Sequence, residues 1–130
     1  MDSESRAAAG LLTAMSRAAA AFDELRHPYA RREPLTYFQP DGWTTGVLFT
    51  LPDGRLVRFS VSLTHTRTAF RVSGAALVEE RALIEPVDRS SGSVHEVVSI
   101  LEDTVGEVVS PARWLLDRLV EEIAEEVTEI

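Results

Sequence analysis

Apolar residues fall at alternating three- and four-residue steps between Glu4 and Arg26, at Ala8, Leu11, Met15, Ala18, Phe22 and Leu25. That spacing keeps the side chains on one face of a 3.6-residue helix. Leu12 and Ala19 widen the stripe, the alanines favour helix, and Pro28 predicts where it stops. Its small alanine face would allow close approach to a sheet or to a second copy, and a core-facing helix is expected.

In the middle of the chain the period changes to two. Pro52-Asp53-Gly54 has the residues of a type I turn, with glycine where φ must be positive. Pairing Leu51 with Arg55 then sets Phe49 opposite Val57 and Val47 opposite Phe59, all on one face. A second loop at His65-Thr66 pairs Val61 with Phe70, Phe59 with Val72 and Ser60 with Arg71. Phe59 falls on the apolar face in both hairpins, and a slip of one residue in either would expose it. A meander is therefore expected over 44–51, 55–64 and 67–73. Its inner face carries Val47, Phe49, Val57, Phe59, Val61, Leu63, Phe70 and Val72. Its outer face carries Leu48, Thr50, Leu56, Arg58, Ser60, Ser62, Arg71 and Ser73.

The flanks of the meander are less regular. His27 to Trp43 reads as a long irregular segment with a short edge strand near 35–39. From Gly74 to Asp88, helix formers over Ala75 to Ala82 compete with alternation over Arg81 to Val87, which predicts a short fourth strand near 81–86. Ser90-Ser91-Gly92 has turn chemistry, and Ser93 with Glu96 predicts a capping box. The helix that follows places Val94, Val97, Val98, Leu101, Val105 and Val108 on one side and ends near Val109. Ser110 and Pro111 suit the N-cap and first residue of a last helix. Its stripe is Leu116, Val120, Ile123, Val127 and Ile130, with Leu119 beside it and glutamates elsewhere.

These elements predict one α+β domain over 1–130, with an N-terminal helix, a three- to four-stranded antiparallel meander, and two C-terminal helices packed on one sheet face. A chain of 130 residues, 45% of them hydrophobic, is long enough to bury its own core. One sheet face holds about two helices side by side, yet three helical stripes need cover. Either the helices form two layers or one stripe pairs with a second copy, most simply as a two-fold homodimer. The last helix is the better candidate, and its glutamates would require an antiparallel crossing or arginines opposite them.

Composition narrows the chemistry. The chain has no cysteine, which removes disulfides, thiolate metal sites and thiol catalysis. The polar Met1 to Arg6 segment is unlike a secretion signal, and no run approaches the roughly 18 to 20 apolar residues of a membrane span. A cytoplasmic location without membrane contact is expected. All 13 basic residues are arginine, and asparagine is missing along with lysine, the usage of a GC-rich bacterial genome. Arginine everywhere also weakens the case for any single arginine as a selected ligand.

The net charge of -8 is unevenly spread, with 1–35 neutral, 36–75 at +2 and 76–130 at -10. Such a surface repels nucleic acid and favours a basic protein partner.

No motif points to catalysis, a metal or a cofactor. His27, His65 and His95 lie in different elements and form no His-x-x-His spacing. The glycines are scattered, and the serines lack a Gly-x-Ser-x-Gly elbow. Glu79-Glu80, Glu121-Glu122 and Glu125-Glu126 are sequence neighbours and so point apart.

Two surfaces remain. Arg58 and Arg71 among Ser60 and Ser62 would suit an anion or an acidic partner. Tyr37, Phe38 and Trp43, with Arg31 and Arg32 nearby, could line a cleft or form a binding hot spot.

The leading expectation is a non-enzymatic binding protein of chaperone-like, adaptor or immunity type, acting through an acidic helical surface or the arginine-serine sheet face. The alternative is a small-ligand-binding protein or minor enzyme with a cleft between the sheet and the aromatic 29–43 segment. An apolar pocket lined by Tyr37, Phe38 or Trp43 would favour the second.

Overall fold

The alanine-rich stripe forms helix α1, Ser3–Asp23, in a computed structural model that describes residues 3–128. The helix stops short of Arg26 because Leu25 N–H donates to the Phe22 carbonyl at 3.1 Å, tightening the exit into a turn. Leu25 still packs against the core.

The chain then builds one antiparallel sheet from β1 (Arg31–Gln39), β2 (Gly42–Thr50), β3 (Leu56–His65), β4 (Phe70–Val78), β5 (Arg81–Ala82) and β6 (Val87–Ser91). Strands β1 to β4 follow one another in space as a meander, and both β5 and β6 pair with β4. The sheet is thus larger than the three or four strands expected. Residues 31–39 are not a loop with a short strand but a nine-residue edge strand, paired with β2 from Arg31 opposite Thr50 to Gln39 opposite Gly42. Pro34 is tolerated there because an edge strand leaves one side of its backbone unpaired. Near 81–86 the expected strand is only β5, and Ser90 and Ser91 belong to β6 rather than to a turn.

The first hairpin has the expected register. Val47 faces Phe59, Phe49 faces Val57, Leu51 N–H donates to the Arg55 carbonyl at 2.9 Å, and Gly54 takes φ +90°. The second differs: Phe59 lies opposite Ala76, Ser60 opposite Ala75 and Val61 opposite Gly74, while Phe70 pairs with His65. The chain turns through 66–69, and each expected pairing moves by four residues. An even shift preserves the faces, so Val57, Phe59, Val61, Leu63 and Val72 are all buried.

The reason lies across the core. Helix α2, Val94–Val109, packs on β3 and β4, and a Cβ at Gly74 would stand 2.7 Å from Thr104 Cγ2. Setting Gly74 and Ala76 beside Val61 and Phe59 leaves room for the helix. Phe49 and Phe59 meet edge to face, their centroids 6.0 Å apart, and Met15 and Phe22 of α1 are fully buried from the same side.

Ser93 caps α2, its hydroxyl accepting from Glu96 N–H at 3.4 Å, while Ser93 N–H donates to Ser91 Oγ at 3.1 Å. The Ser91 hydroxyl thus takes the place the Glu96 carboxylate would hold in a full capping box.

At the other end Ser110 is not an extended N-cap. Its φ of -57° and ψ of -45° are helical, and its N–H donates to the Gly106 carbonyl. Helix α2 therefore runs through a bend at Pro111, which cannot donate, into α3, Ala112–Thr128. Ala112, Leu115, Leu116 and Leu119 join the same core, Val120 and Ile123 pack partly against it, and Val127 is 67% exposed. Ile130, expected in this stripe, lies outside the described residues. No helix is long and apolar enough to cross a membrane among the described residues.

Candidate functional site

With α1 and α2 on one side of the sheet, the side chains of alternate parity form a face that no helix covers among the described residues. Three of its cross-strand rows lie at its centre. Glu33, Leu48, Arg58 and Leu77 form the first, Leu35, Gly46, Ser60 and Ala75 the second, and Tyr37, Thr44, Ser62, Ser73 and Asp88 the third. The middle row carries the smallest side chains. Ser60 in that row is buried, and Thr44 Oγ1 and Ser62 Oγ share a hydrogen bond of 2.7 Å.

Gly46 is needed for this geometry: a Cβ there would stand 2.1 Å from the Phe59 carbonyl oxygen. The strands approach too closely at this point for any side chain.

Arg58 stands between two hollows of this face. One, of about 320 Å³, is lined by Leu48, Leu56, Leu77, Glu79 and Glu80. The other, of about 230 Å³, is lined by Ser60, Ser62, Ser73, Pro86 and Asp88. Arg58 Nε is buried without a hydrogen-bond partner, and no carboxylate among the described residues forms an ion pair with its guanidinium. Leucines flank it on both neighbouring strands. A desolvated, uncompensated donor is costly in a folded protein, and a carboxylate or other anion supplied from outside would relieve that cost.

Arg71 is different. Its Nε donates to Asp88 Oδ1 at 2.7 Å, and its Nη2 donates to Asp88 Oδ2. The hydrogen bond from Arg71 holds the Asp88 carboxyl below its ordinary range, and the Arg71 guanidinium is correspondingly raised. It also lies opposite Thr64 and not Ser60, so Arg58 and Arg71 share a face without forming one arginine pair. Asp88 escaped sequence reasoning because the strand that carries it was placed too early in the chain.

No family model, curated protein or solved structure matches the chain.

The aromatic group divides. Tyr37 lies on the open face with Ser62, at 39% exposure, whereas Phe38 and Trp43 pair on the opposite parity with ring centroids 5.0 Å apart. Phe38 is 72% exposed, and the Trp43 Nε1 is buried without a partner. The hollow between α1 and the β1 side of the sheet is lined by Ala19, Ala20, Asp23, Arg32, Pro34 and Thr36, with none of the three aromatics. Among the described residues no group of three or more histidines and carboxylates could hold a metal ion.

Proposed function

We propose that the chain is a non-enzymatic protein-binding module whose docking surface is the helix-free sheet face around Arg58. The observation that carries this reading is the Arg58 guanidinium, desolvated at Nε, unpaired, and set between Leu48 and Leu77. The complementary partner presents an acidic side chain with apolar neighbours, the carboxylate meeting Arg58 and the apolar groups meeting the leucines. A carboxylate that completes a bidentate pair with a partly desolvated guanidinium contributes more than an exposed ion pair does. The -10 charge of residues 76–130 supports a second, looser role in steering basic surfaces toward the molecule. We also propose that the chain works as a homodimer, because α3 exposes Trp114 with Arg118 over its ring.

The small-ligand reading has less behind it, since the segment that would have closed its cleft is an edge strand and its aromatics lie on both sides of the sheet.

Affinity capture from the source cell tests the proposal. The wild-type chain, Arg58→Glu and a helix-side control, Arg17→Glu, are compared under identical conditions. The expected outcome is a partner retained by the wild type and the control and lost with Arg58→Glu, while far-ultraviolet circular dichroism is unchanged. Equal retention by all three would remove the sheet face from consideration.

A further inference from the structure

The charge order along α3 opposes the helix's own dipole. Arg113 and Arg118 occupy its first half, and Glu121, Glu122, Glu125 and Glu126 its second, so acids gather at the negative end. Arg113 is accounted for within the molecule, since it donates to the Arg26 carbonyl at the exit of α1. The rest of the pattern is not: no ion pair among the described residues involves Arg118 or those four glutamates. Arg118 instead lies over the ring of Trp114, 5.3 Å from its centroid, and that tryptophan is 59% exposed. A bare tryptophan with an arginine on it is the composition of an interface centre and unusual for a solvated face.

At 100° per residue, Trp114, Arg118, Glu121 and Glu125 share a strip about 60° wide on the side of α3 away from buried Leu115 and Leu119. This strip is self-complementary. A two-fold axis crossing it at the level between Leu119 and Val120 sets Arg118 against Glu121 of a second copy, and Trp114 against Glu125 of that copy. Each glutamate-rich half then lies beside the other helix's arginines and positive end, so the order that is unfavourable within one helix becomes favourable between two.

We infer that two copies of this chain pair through antiparallel α3 helices about that axis. This rests on the homodimer reading above and adds its interface. A contact between two helices of this length falls at the small end of specific interfaces, where weak association is the rule. The sheet face around Arg58 lies on other elements and stays free, so the dimer is bivalent.

Sedimentation equilibrium across micromolar concentrations is the test, with circular dichroism to confirm that every variant folds. The wild type is expected to approach twice 14.3 kDa. Arg118→Glu and Glu121→Arg should each weaken association about tenfold or more, as like charges meet across the axis. The double variant Arg118→Glu/Glu121→Arg should restore it, because the exchanged charges again face opposite partners. A wild type that stays at 14.3 kDa throughout overturns the dimer itself. A dimer insensitive to both single variants, or not rescued by the double, overturns this interface and leaves self-association standing.

Discussion

His27 Nε2 donates to Asp117 Oδ1 at 2.7 Å, tying the turn after α1 to the first turns of α3. The other ring nitrogen, Nδ1, accepts from Tyr29 N–H at 3.2 Å. The His27 side chain is only 4% exposed, so the ring is both a packing element and a two-ended bridge. His27→Ala should destabilise the protein by about 1 to 3 kcal/mol, the range for removing a buried hydrogen-bonding group. Hydrogen exchange should speed up most at 112–119. An unchanged melting curve would mean the apolar contacts of Leu115, Leu116 and Leu119 hold α3 by themselves.

Two glycines should respond to alanine in opposite directions. Gly46→Ala forces a methyl to within 2.1 Å of the Phe59 carbonyl oxygen, a backbone atom with no rotamer to yield. The expected loss is more than about 3 kcal/mol, at the upper end for single substitutions. Gly106 sits inside α2 with no atom within 4 Å of a built Cβ, so Gly106→Ala should stabilise by about 0.5 to 1 kcal/mol through helix propensity. Urea denaturation of both variants checks the pair.

The Asp88 carboxyl, held low by its hydrogen bond from Arg71, should titrate below the ordinary carboxylate range when its side-chain carbon is followed by NMR. Because the folded value is depressed, the stabilisation is present above the unfolded value and disappears as pH falls through the folded one. Arg71→Gln should return Asp88 to the ordinary range and flatten that part of the acid limb. A titration unchanged by Arg71→Gln would remove the ion pair as its cause.

Arg58→Leu separates binding from stability. Leucine between Leu48 and Leu77 removes a buried donor that has no partner, so the melting temperature should stay level or rise. Partner capture should be lost in the same variant. A clear fall in melting temperature would show that Arg58 supports the fold and would weaken its assignment to binding.

The elements whose signals are local are legible in the residues alone. The three-four stripe of α1, the Ser93 cap of α2 and the Pro52-Asp53-Gly54 turn depend on residues within a few positions of one another. Side-chain parity is local too, which is why the inner and outer faces of β3 and β4 were correct even though their pairing was displaced by four residues. The offset is set by packing across the core, because it depends on where α2 needs the flat surface of Gly74 against Thr104 and Val108. Strand β1 was only partly legible, since an edge strand with Pro34 and few apolar residues has little alternation to read and owes its existence to β2. The arginines divided for the same reason. Sequence placed Arg58 and Arg71 on one face, but β6 brought Asp88 to Arg71 and left Arg58 alone, and a partner carried by a distant strand leaves no trace in local spacing.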